Sequence, residues 1–115
     1  MKLRPPWARH MANLHISPQA QKDLLDIKEY ITEELGNPTA ALNVLEKITK
    51  RIRELSDYPE LGVSLDSIIE IKTDYRFLVC GNYTAFYRYS ENTVYVNRVL
   101  YGRRDFIKVL FGELP

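Results

Sequence analysis

Apolar residues recur at helical spacing in the first half of the chain and as strand-like runs in the second half. The short segment "NLHIS" (13–17) precedes a stripe whose members are four, three and four positions apart: Ala20, Leu24, Ile27 and Ile31. The same spacing recurs in a second stripe, which comprises Ala41, Leu45, Ile48, Ile52 and Leu55. Each stripe lies on one helical face, so the pattern predicts two amphipathic helices after one strand.

Helix boundaries are marked at both stripes. Ser17 and Asn37 are capping residues, and each precedes a proline that suits the first helical position. Gly36 ends the first helix, and "DYPELG" (57–62) ends the second with turn-forming residues. Because the link between the helices is so short, we expect an antiparallel helix hairpin.

The remaining apolar runs are rich in β-branched and aromatic residues, which favour strands. The predicted strands are "SIIEI" (67–71), "YRFLVC" (75–80), "YTAFYRY" (83–89) and "TVYVNRVLY" (93–101). Turns at 81–82 and 90–92 join the last three as a meander, and a short helix over residues 105–111 follows. The sequence therefore predicts an α+β domain: an N-terminal strand, an antiparallel helix hairpin packed on an antiparallel sheet of four or five strands, and a short C-terminal helix.

Two-residue hairpin loops determine which strand residues face each other. Cys80 is then opposite Tyr83, and unbroken alternation along the last strand puts Leu100 on the face of Cys80 and Val99 on the other. Both faces are apolar, whereas the helix hairpin can cover only one of them. We therefore expect the second face to be exposed as a binding surface for a partner.

The length of 115 residues fits one domain with its own core. We assign residues 13–115 to that domain and residues 1–12 to a basic N-terminal arm, in which Met11 is an alternative start and the residues before it need not be native. No apolar run reaches the length of a membrane span, and Cys80 is the only cysteine, so an internal disulfide is excluded. These features favour a cytoplasmic protein. The two histidines form no cluster with ligand spacing, so we expect neither a metal nor a cofactor.

Charge is divided between the two halves of the chain. Residues 18–71 carry 6 Lys and Arg against 11 Asp and Glu, whereas residues 72–104 carry 6 against 2. A basic half favours an anionic partner, either nucleic acid or an acidic protein segment. In the basic stretch "RVLYGRRDF" (98–106), Arg103 and Arg104 follow a glycine at the end of the last predicted strand.

Structural roles compete with functional ones in that stretch. Arg98 lies inside an apolar strand, where a half-buried guanidinium needs a carboxylate, and Asp105 or Glu70 is the expected partner. Asp105 is also expected to start the terminal helix, because a carboxylate is favourable near helical N-terminal amides. For Arg103 and Arg104, the simple alternative to a binding role is the solvated end of a strand.

Three stretches together resemble the RelE/ParE family of bacterial toxins over about residues 13–111. "ISPQAQKDLLDIKEYITEELG" resembles the family's opening helix, whose characteristic positions are filled by Ala20, Asp23, Leu24, Ile27 and Tyr30. "DYRFLVCGNYTAFYRY" resembles its central hairpin, and "VYVNRVLYGRRDF" resembles its last strand and exit.

The resemblance implies a toxin of a type II toxin–antitoxin system, which arrests growth until its antitoxin neutralises it. In this family an antitoxin segment typically crosses the sheet and the helix hairpin, a role that suits a disordered segment folding on binding. The antitoxin-binding residues implied here are Leu24, Ile31, Phe77, Val79 and Phe86. A toxin dimer within a larger complex is a further implied arrangement.

Two activities share this family fold. The RelE-like alternative is a metal-independent endoribonuclease that cleaves mRNA on the ribosome, for which the implied catalytic residues are Lys72, Arg76, Arg104 and Tyr101. Arginine and lysine would hold the phosphate as charge-assisted donors. The tyrosine that this branch carries on its terminal helix falls near Leu110, which cannot transfer a proton, so Tyr101 is its only substitute.

The ParE-like alternative inhibits DNA gyrase and is not itself an enzyme. The long helix hairpin and the exit "RVLYGRRD" resemble this branch more closely, and the missing tyrosine agrees with it. We therefore favour a ParE-like toxin, whose implied target- or anion-binding residues are Arg88, Arg103, Arg104 and Tyr101. A third alternative, outside the toxins, is a homodimeric interaction domain whose apolar second face forms the dimer interface.

Overall fold

The computed structural model describes residues 11–112 and contains five strands and three α-helices in that range. In chain order these are β1 Asn13–Ile16, α1 Pro18–Glu29, α2 Pro38–Asp57, β2 Val63–Ser64, β3 Arg76–Cys80, β4 Tyr83–Ser90, β5 Thr93–Tyr101 and α3 Phe106–Phe111. A π-helical turn, Tyr30–Glu34, extends α1, and a 3-10 turn, Leu65–Ser67, follows β2. Within this range no helix is both long enough and apolar enough to cross a membrane.

The five strands form one sheet in the order β1-β5-β4-β3-β2. The pairings among β2 to β5 are antiparallel. Those of β3 with β4 and of β4 with β5 are as predicted, and Cys80 lies opposite Tyr83. β1, however, runs parallel to β5. The helix hairpin and strands β2 to β4 separate β1 from β5 along the chain, so no tight turn requires these two strands to be antiparallel. The predicted α+β architecture is otherwise confirmed.

Side-chain caps start both long helices as the sequence predicts. Ser17 Oγ accepts a hydrogen bond from the Ala20 amide at 3.0 Å, and Asn37 Oδ1 accepts one from the Ala40 amide at 3.0 Å. Gly36 has a φ of 61°, which allows the chain to reverse between the helices. The two apolar stripes pack against one face of the sheet and build the main core there.

A β-bulge changes the predicted register of β5. The pairing with β4 shifts by one residue at Asn97, which has no partner of its own on β4. Beyond the bulge, Val99 belongs to the main core under the helices, and Leu100 packs on the opposite face. The faces predicted for Val99 and Leu100 are therefore wrong, because an extra residue in one strand inverts the alternation that follows it.

The second sheet face is covered around Phe77 and Phe86, whereas Val63, Val79 and Tyr95 stay exposed, so the prediction of a wholly open apolar face is wrong. Phe77 and Phe86 form a small second core with Leu65. α3 folds over it, and the Phe106 ring stacks on the Phe86 ring with centroids 5.6 Å apart. Val79, which is 54% exposed, is the apolar side chain of β3 that stays open to solvent.

Residues 67–71 form turns and bends instead of the predicted strand "SIIEI". The strand beside β3 comes earlier in the chain, where Val63 pairs with Phe77. Ile69, from the middle of the run, packs against the second core. The prediction failed because a short apolar run can be buried by an irregular segment as well as by a strand, and its periodicity does not distinguish the two.

The packed part of the chain begins slightly before the predicted domain boundary. Ala12, which the sequence analysis places in the arm, is buried, and its amide donates to the Ser56 carbonyl at 2.8 Å. Residues 1–10, the remainder of the predicted arm apart from Met11, lie outside the described residues. Ala12 therefore belongs with the folded domain.

Raising the pH from 7 to 10 is expected to lower the free energy of unfolding by about 1.4 kcal/mol through Cys80 alone. Burial raises the pKa of the Cys80 thiol from 9.0 to about 11. The folded state therefore holds this proton more tightly than the unfolded state, and the stabilisation is lost as the pH rises through this window. Urea unfolding of the wild type and of Cys80→Ala at both pH values measures the effect. A stability difference between the two proteins that does not change with pH would contradict it.

Candidate functional site

The chain leaves β5 through a tight turn that presents two arginines. The Gly102 amide donates to the Asn82 carbonyl at 2.7 Å, which ties this turn to the hairpin between β3 and β4. We call residues 101–104 the β5 corner. Asp105 follows the corner and precedes α3, as predicted, but its side chain accepts no capping hydrogen bond, so the predicted capping contact is wrong. Its φ of 50° places it in the left-handed region, whereas a capping residue usually has an extended backbone.

The arginines of the β5 corner contact rings instead of carboxylates. The Arg103 guanidinium carbon lies 5.5 Å from the centroid of the Phe77 ring, and that of Arg104 lies 5.9 Å from the centroid of the Tyr101 ring. Both arginines are exposed, and neither forms an ion pair with any residue between 11 and 112. Both charges are therefore available to an anionic group of a partner.

Arg98, by contrast, is held inside the fold by Asp23 of α1. Its Nε and Nη2 donate to the two carboxylate oxygens at 2.8 and 2.9 Å, and the Val99 amide donates to the same carboxylate at 2.9 Å. The hydrogen bonds to Asp23 raise the pKa of Arg98. These contacts agree with the structural role predicted for Arg98, but the predicted partners, Asp105 and Glu70, are wrong.

The sequence analysis did not identify Asp23 as the partner of Arg98. It follows Ala20 by three residues and therefore lies on the apolar stripe of α1, where a carboxylate is unexpected. β1 ends at Ile16, and beyond that point α1 takes the place of β1 beside β5. There the Asp23 carboxylate accepts a hydrogen bond from the Val99 amide at the edge of the strand. A single acid on an otherwise apolar stripe is the signal that would have identified it.

Arg88 is not brought to the β5 corner. Its Nε and Nη2 donate to the Asp74 carboxylate at 2.8 and 3.1 Å, and its guanidinium carbon lies 5.2 Å from the centroid of the Tyr75 ring. The hydrogen bonds to Asp74 raise the pKa of Arg88. Arg88 lies opposite Tyr95, six positions before Tyr101 along β5. Its charge is therefore largely balanced by a neighbouring carboxylate, unlike the charges of the corner.

The residues implied for an endoribonuclease do not converge. Arg76 donates from Nη1 to the Gly62 carbonyl at 2.9 Å and braces the turn after α2. Along the strands it lies four positions from the level of Tyr101, which is about 14 Å. Lys72 is exposed in the irregular segment before β3, so only Arg104 of this set contacts Tyr101. Among residues 11–112 no three His, Cys, Asp or Glu side chains are placed to hold a metal ion.

The residues implied for antitoxin binding are mostly inside the fold. Ile31, Phe77 and Phe86 are buried, and Leu24 is half-buried against the main core. The expectation that Phe77 and Phe86 present an open surface is wrong, because α3 and the segment after β2 cover them, and Ile31 is buried as well. Val79 is exposed as expected.

The described residues thus form a helix hairpin on one face of a five-stranded sheet, with a basic corner at the end of the last strand. A family model described as "ParE toxin of type II toxin-antitoxin system, parDE" matches residues 14–106. Because this match spans most of the chain, the chain belongs to the ParE toxin family and is a toxin of a type II toxin–antitoxin system. The resemblance to the RelE/ParE family is thereby confirmed.

Solved structures with the same fold agree with this assignment. The chromosomal ParDE toxin–antitoxin system from P. aeruginosa is similar with a TM-score of 0.68 and 21% identity, over 81% of this chain and 98% of that chain. The toxin–antitoxin complex RelBE2 from Mycobacterium tuberculosis is similar with a TM-score of 0.58 and 16% identity, over 79% of this chain and 91% of that chain. At these identities the similarity concerns the fold. No curated protein matches the chain significantly by sequence.

Proposed function

We propose that this toxin arrests bacterial growth by inhibiting DNA gyrase. The observation that carries the proposal is the match to the ParE family over residues 14–106, a range that includes the whole β5 corner. Arg103 and Arg104 supply this corner with two charges that the described chain leaves unpaired. Exposed arginine beside tyrosine is a composition typical of protein-binding surfaces.

The geometry gives less support to the endoribonuclease alternative. Proton transfer during RNA cleavage requires an acid or base within hydrogen-bond reach of the reacting oxygen. Leu110 of α3 packs against the second core, and Lys108 is the only ionisable residue of that helix. Arg76 is already hydrogen-bonded to the backbone of another segment. Within residues 11–112, phosphate-binding and proton-transferring groups are therefore not assembled around Tyr101.

Induction in a bacterium and two target assays test the proposed function. We expect growth arrest when the toxin is expressed alone, and inhibition of supercoiling when the purified toxin is added to gyrase. We expect no cleavage in a ribosome-dependent mRNA assay run with the same preparation. Cleavage of mRNA with unaffected supercoiling would replace the proposal by the RelE-like activity. Normal growth at confirmed soluble expression would contradict both.

A cognate antitoxin is the proposed partner, and the toxin and its target are expected to meet in the cytoplasm. The two similar structures are themselves toxin–antitoxin systems. Exposed apolar side chains on the helix hairpin and on β3 provide the surface for an amphipathic antitoxin segment: Leu25, Leu35, Leu42 and Val79. Co-expression of the neighbouring reading frame is expected to restore growth and to yield a stable complex with the toxin.

Arg104→Ala is expected to reduce the growth arrest at least tenfold, measured as the inducer concentration needed for the same effect. The free energy of unfolding is expected to change by less than about 1 kcal/mol, because the side chain is exposed and contributes only one ring contact. Arg53 is an exposed arginine of α2, so Arg53→Ala is the matched control and should arrest growth like the wild type. A large loss of stability in Arg104→Ala would assign this residue to the fold instead.

A further inference from the structure

Tyr83 of β4 and Tyr101 of β5 meet at the β5 corner, and Tyr30 of the helix hairpin lies near them. The rings of Tyr83 and Tyr101 lie edge to face, with centroids 5.5 Å apart and an interplanar angle of 78°. The pKa of the Tyr83 hydroxyl is raised, first by burial and then by the closeness of Tyr101 and Tyr30. Tyr30 begins the π-helical turn after α1 and is close enough to Tyr83 to contribute to this shift. We call Tyr30, Tyr83 and Tyr101 the tyrosine cluster.

Two side chains of the cluster are exposed to solvent, and the third packs against the protein core. Tyr30 is 56% exposed and Tyr101 is 57% exposed, whereas Tyr83 is half-buried and packs against the main core. Contact with Tyr83 restricts the rotamers of Tyr101 before any partner binds. A restricted aromatic side chain loses little conformational entropy on association, so more of its contact energy remains as affinity. Arg104 adds a positive charge over the Tyr101 ring.

We propose that the tyrosine cluster and Arg104 form the surface that binds the cellular target, and that this target is a protein whose matching surface is apolar around at least one carboxylate. Tyrosine and arginine are enriched among the few residues that dominate the free energy of protein association. Arg104 has no carboxylate partner within residues 11–112, so a carboxylate of the target would be its first. The inference rests on the proposed function only for the identity of that target.

The surroundings of Tyr30 favour a protein over a nucleic acid. Glu33 and Glu34 lie in the same π-helical turn and are exposed, and their charges would repel a phosphate backbone. Leu35, directly after this turn, is 61% exposed and extends the apolar part of the surface. Apolar and aromatic residues surrounded by charges of both signs are the composition of a protein–protein interface. A π-helical turn is uncommon and is often located at a functional site.

Alanine variants of the exposed rings test this surface. Tyr30→Ala is expected to fold, because alanine favours the helical backbone at this position. Tyr30→Ala and Tyr101→Ala are each expected to weaken binding to purified gyrase by roughly 10- to 30-fold and to reduce growth arrest in proportion. Tyr95→Ala removes an exposed tyrosine of β5 outside the cluster and should leave both unchanged. If Tyr101→Ala strongly lowers the melting temperature, its weaker binding could result from unfolding. The Tyr30→Ala variant alone then tests the proposed surface.

The outcomes separate the surface from the target. In one outcome the wild type arrests growth but leaves gyrase unaffected, and the variants no longer arrest growth. That outcome would support the proposed target-binding surface and refute gyrase as the target. Growth arrest by Tyr30→Ala at the wild-type level would overturn the surface, and a wild type that never arrests growth would overturn both inferences. Tight binding of the wild type to a single-stranded RNA oligonucleotide that is lost in Tyr30→Ala would overturn the choice of a protein partner.

Discussion

Replacing Asp23 by alanine is expected to lower the free energy of unfolding by about 3 kcal/mol. Asp23 binds the Arg98 guanidinium through both carboxylate oxygens and also accepts a hydrogen bond from the Val99 amide. Its loss therefore leaves the Arg98 charge and the Val99 amide without their partners. The side chains of Asp23 and Arg98 are only 9% and 23% exposed, so water restores little of what is lost. Urea unfolding monitored by circular dichroism measures the change.

Asp26→Ala is the matched control on the same helix. Asp26 forms an exposed ion pair with Lys22, and pairs of this kind contribute at most about 0.5 kcal/mol. The double variant Asp23→Leu/Arg98→Met is expected to be more stable than Asp23→Ala, because it leaves no buried charge unpaired. Equal stabilities of Asp23→Ala and Asp26→Ala would show that the Asp23–Arg98 pair does not stabilise the fold.

Gly62→Ala is expected to lower the free energy of unfolding by about 3 kcal/mol, because the space beside Gly62 is filled. An added Cβ would lie 2.6 Å from Cε1 of Tyr87 and 2.7 Å from the Phe77 carbonyl oxygen. Tyr87 cannot retreat easily, since its hydroxyl donates to the Pro59 carbonyl at 2.7 Å and accepts from the Gly62 amide at 2.8 Å. Thermal and urea unfolding of the purified variant measure the loss.

Gly36→Ala separates this steric effect from backbone strain. Gly36 has a φ of 61° but nothing within 4 Å of an added Cβ. An alanine there is expected to lower the free energy of unfolding by only about 1 kcal/mol, through the left-handed conformation alone. A Gly62→Ala protein no less stable than Gly36→Ala would refute the close packing of Tyr87 against the turn after α2.

The arginines illustrate how burial and pairing divide structural from functional roles. Arg98 and Arg88 both have carboxylate partners, and Arg76 binds a backbone carbonyl. Among the residues that the structure describes, the guanidinium groups of Arg103 and Arg104 contact aromatic rings and no carboxylate. Paired arginines hold elements together, whereas unpaired exposed ones can meet a carboxylate or phosphate of a partner at little desolvation cost.

Much of the fold was predictable because its signals are local. The caps at Ser17 and Asn37, the two apolar stripes and the turn after Cys80 each depend on residues within a few positions of one another. The strand "SIIEI" was mispredicted because this run forms an irregular segment, in which Ile69 packs against the second core and Ile68 is exposed. Of the candidate site, the exposed arginines of the β5 corner were predictable from their position after an apolar strand, but their ring contacts with Phe77 and Tyr101 were not.

By itself the sequence determined the order of elements, the helix hairpin, the registers next to the tight turns and the membership of a toxin family, since these depend on periodicity and short motifs. Only the tertiary structure decided that Asp23 pairs with Arg98, 75 residues away, that a bulge at Asn97 inverts the end of β5, and that α3 covers the second face. It also decided that the rings of Tyr83 and Tyr101 pack edge to face. Contacts between distant segments depend on how whole elements pack, and many pairings are compatible with the same local pattern.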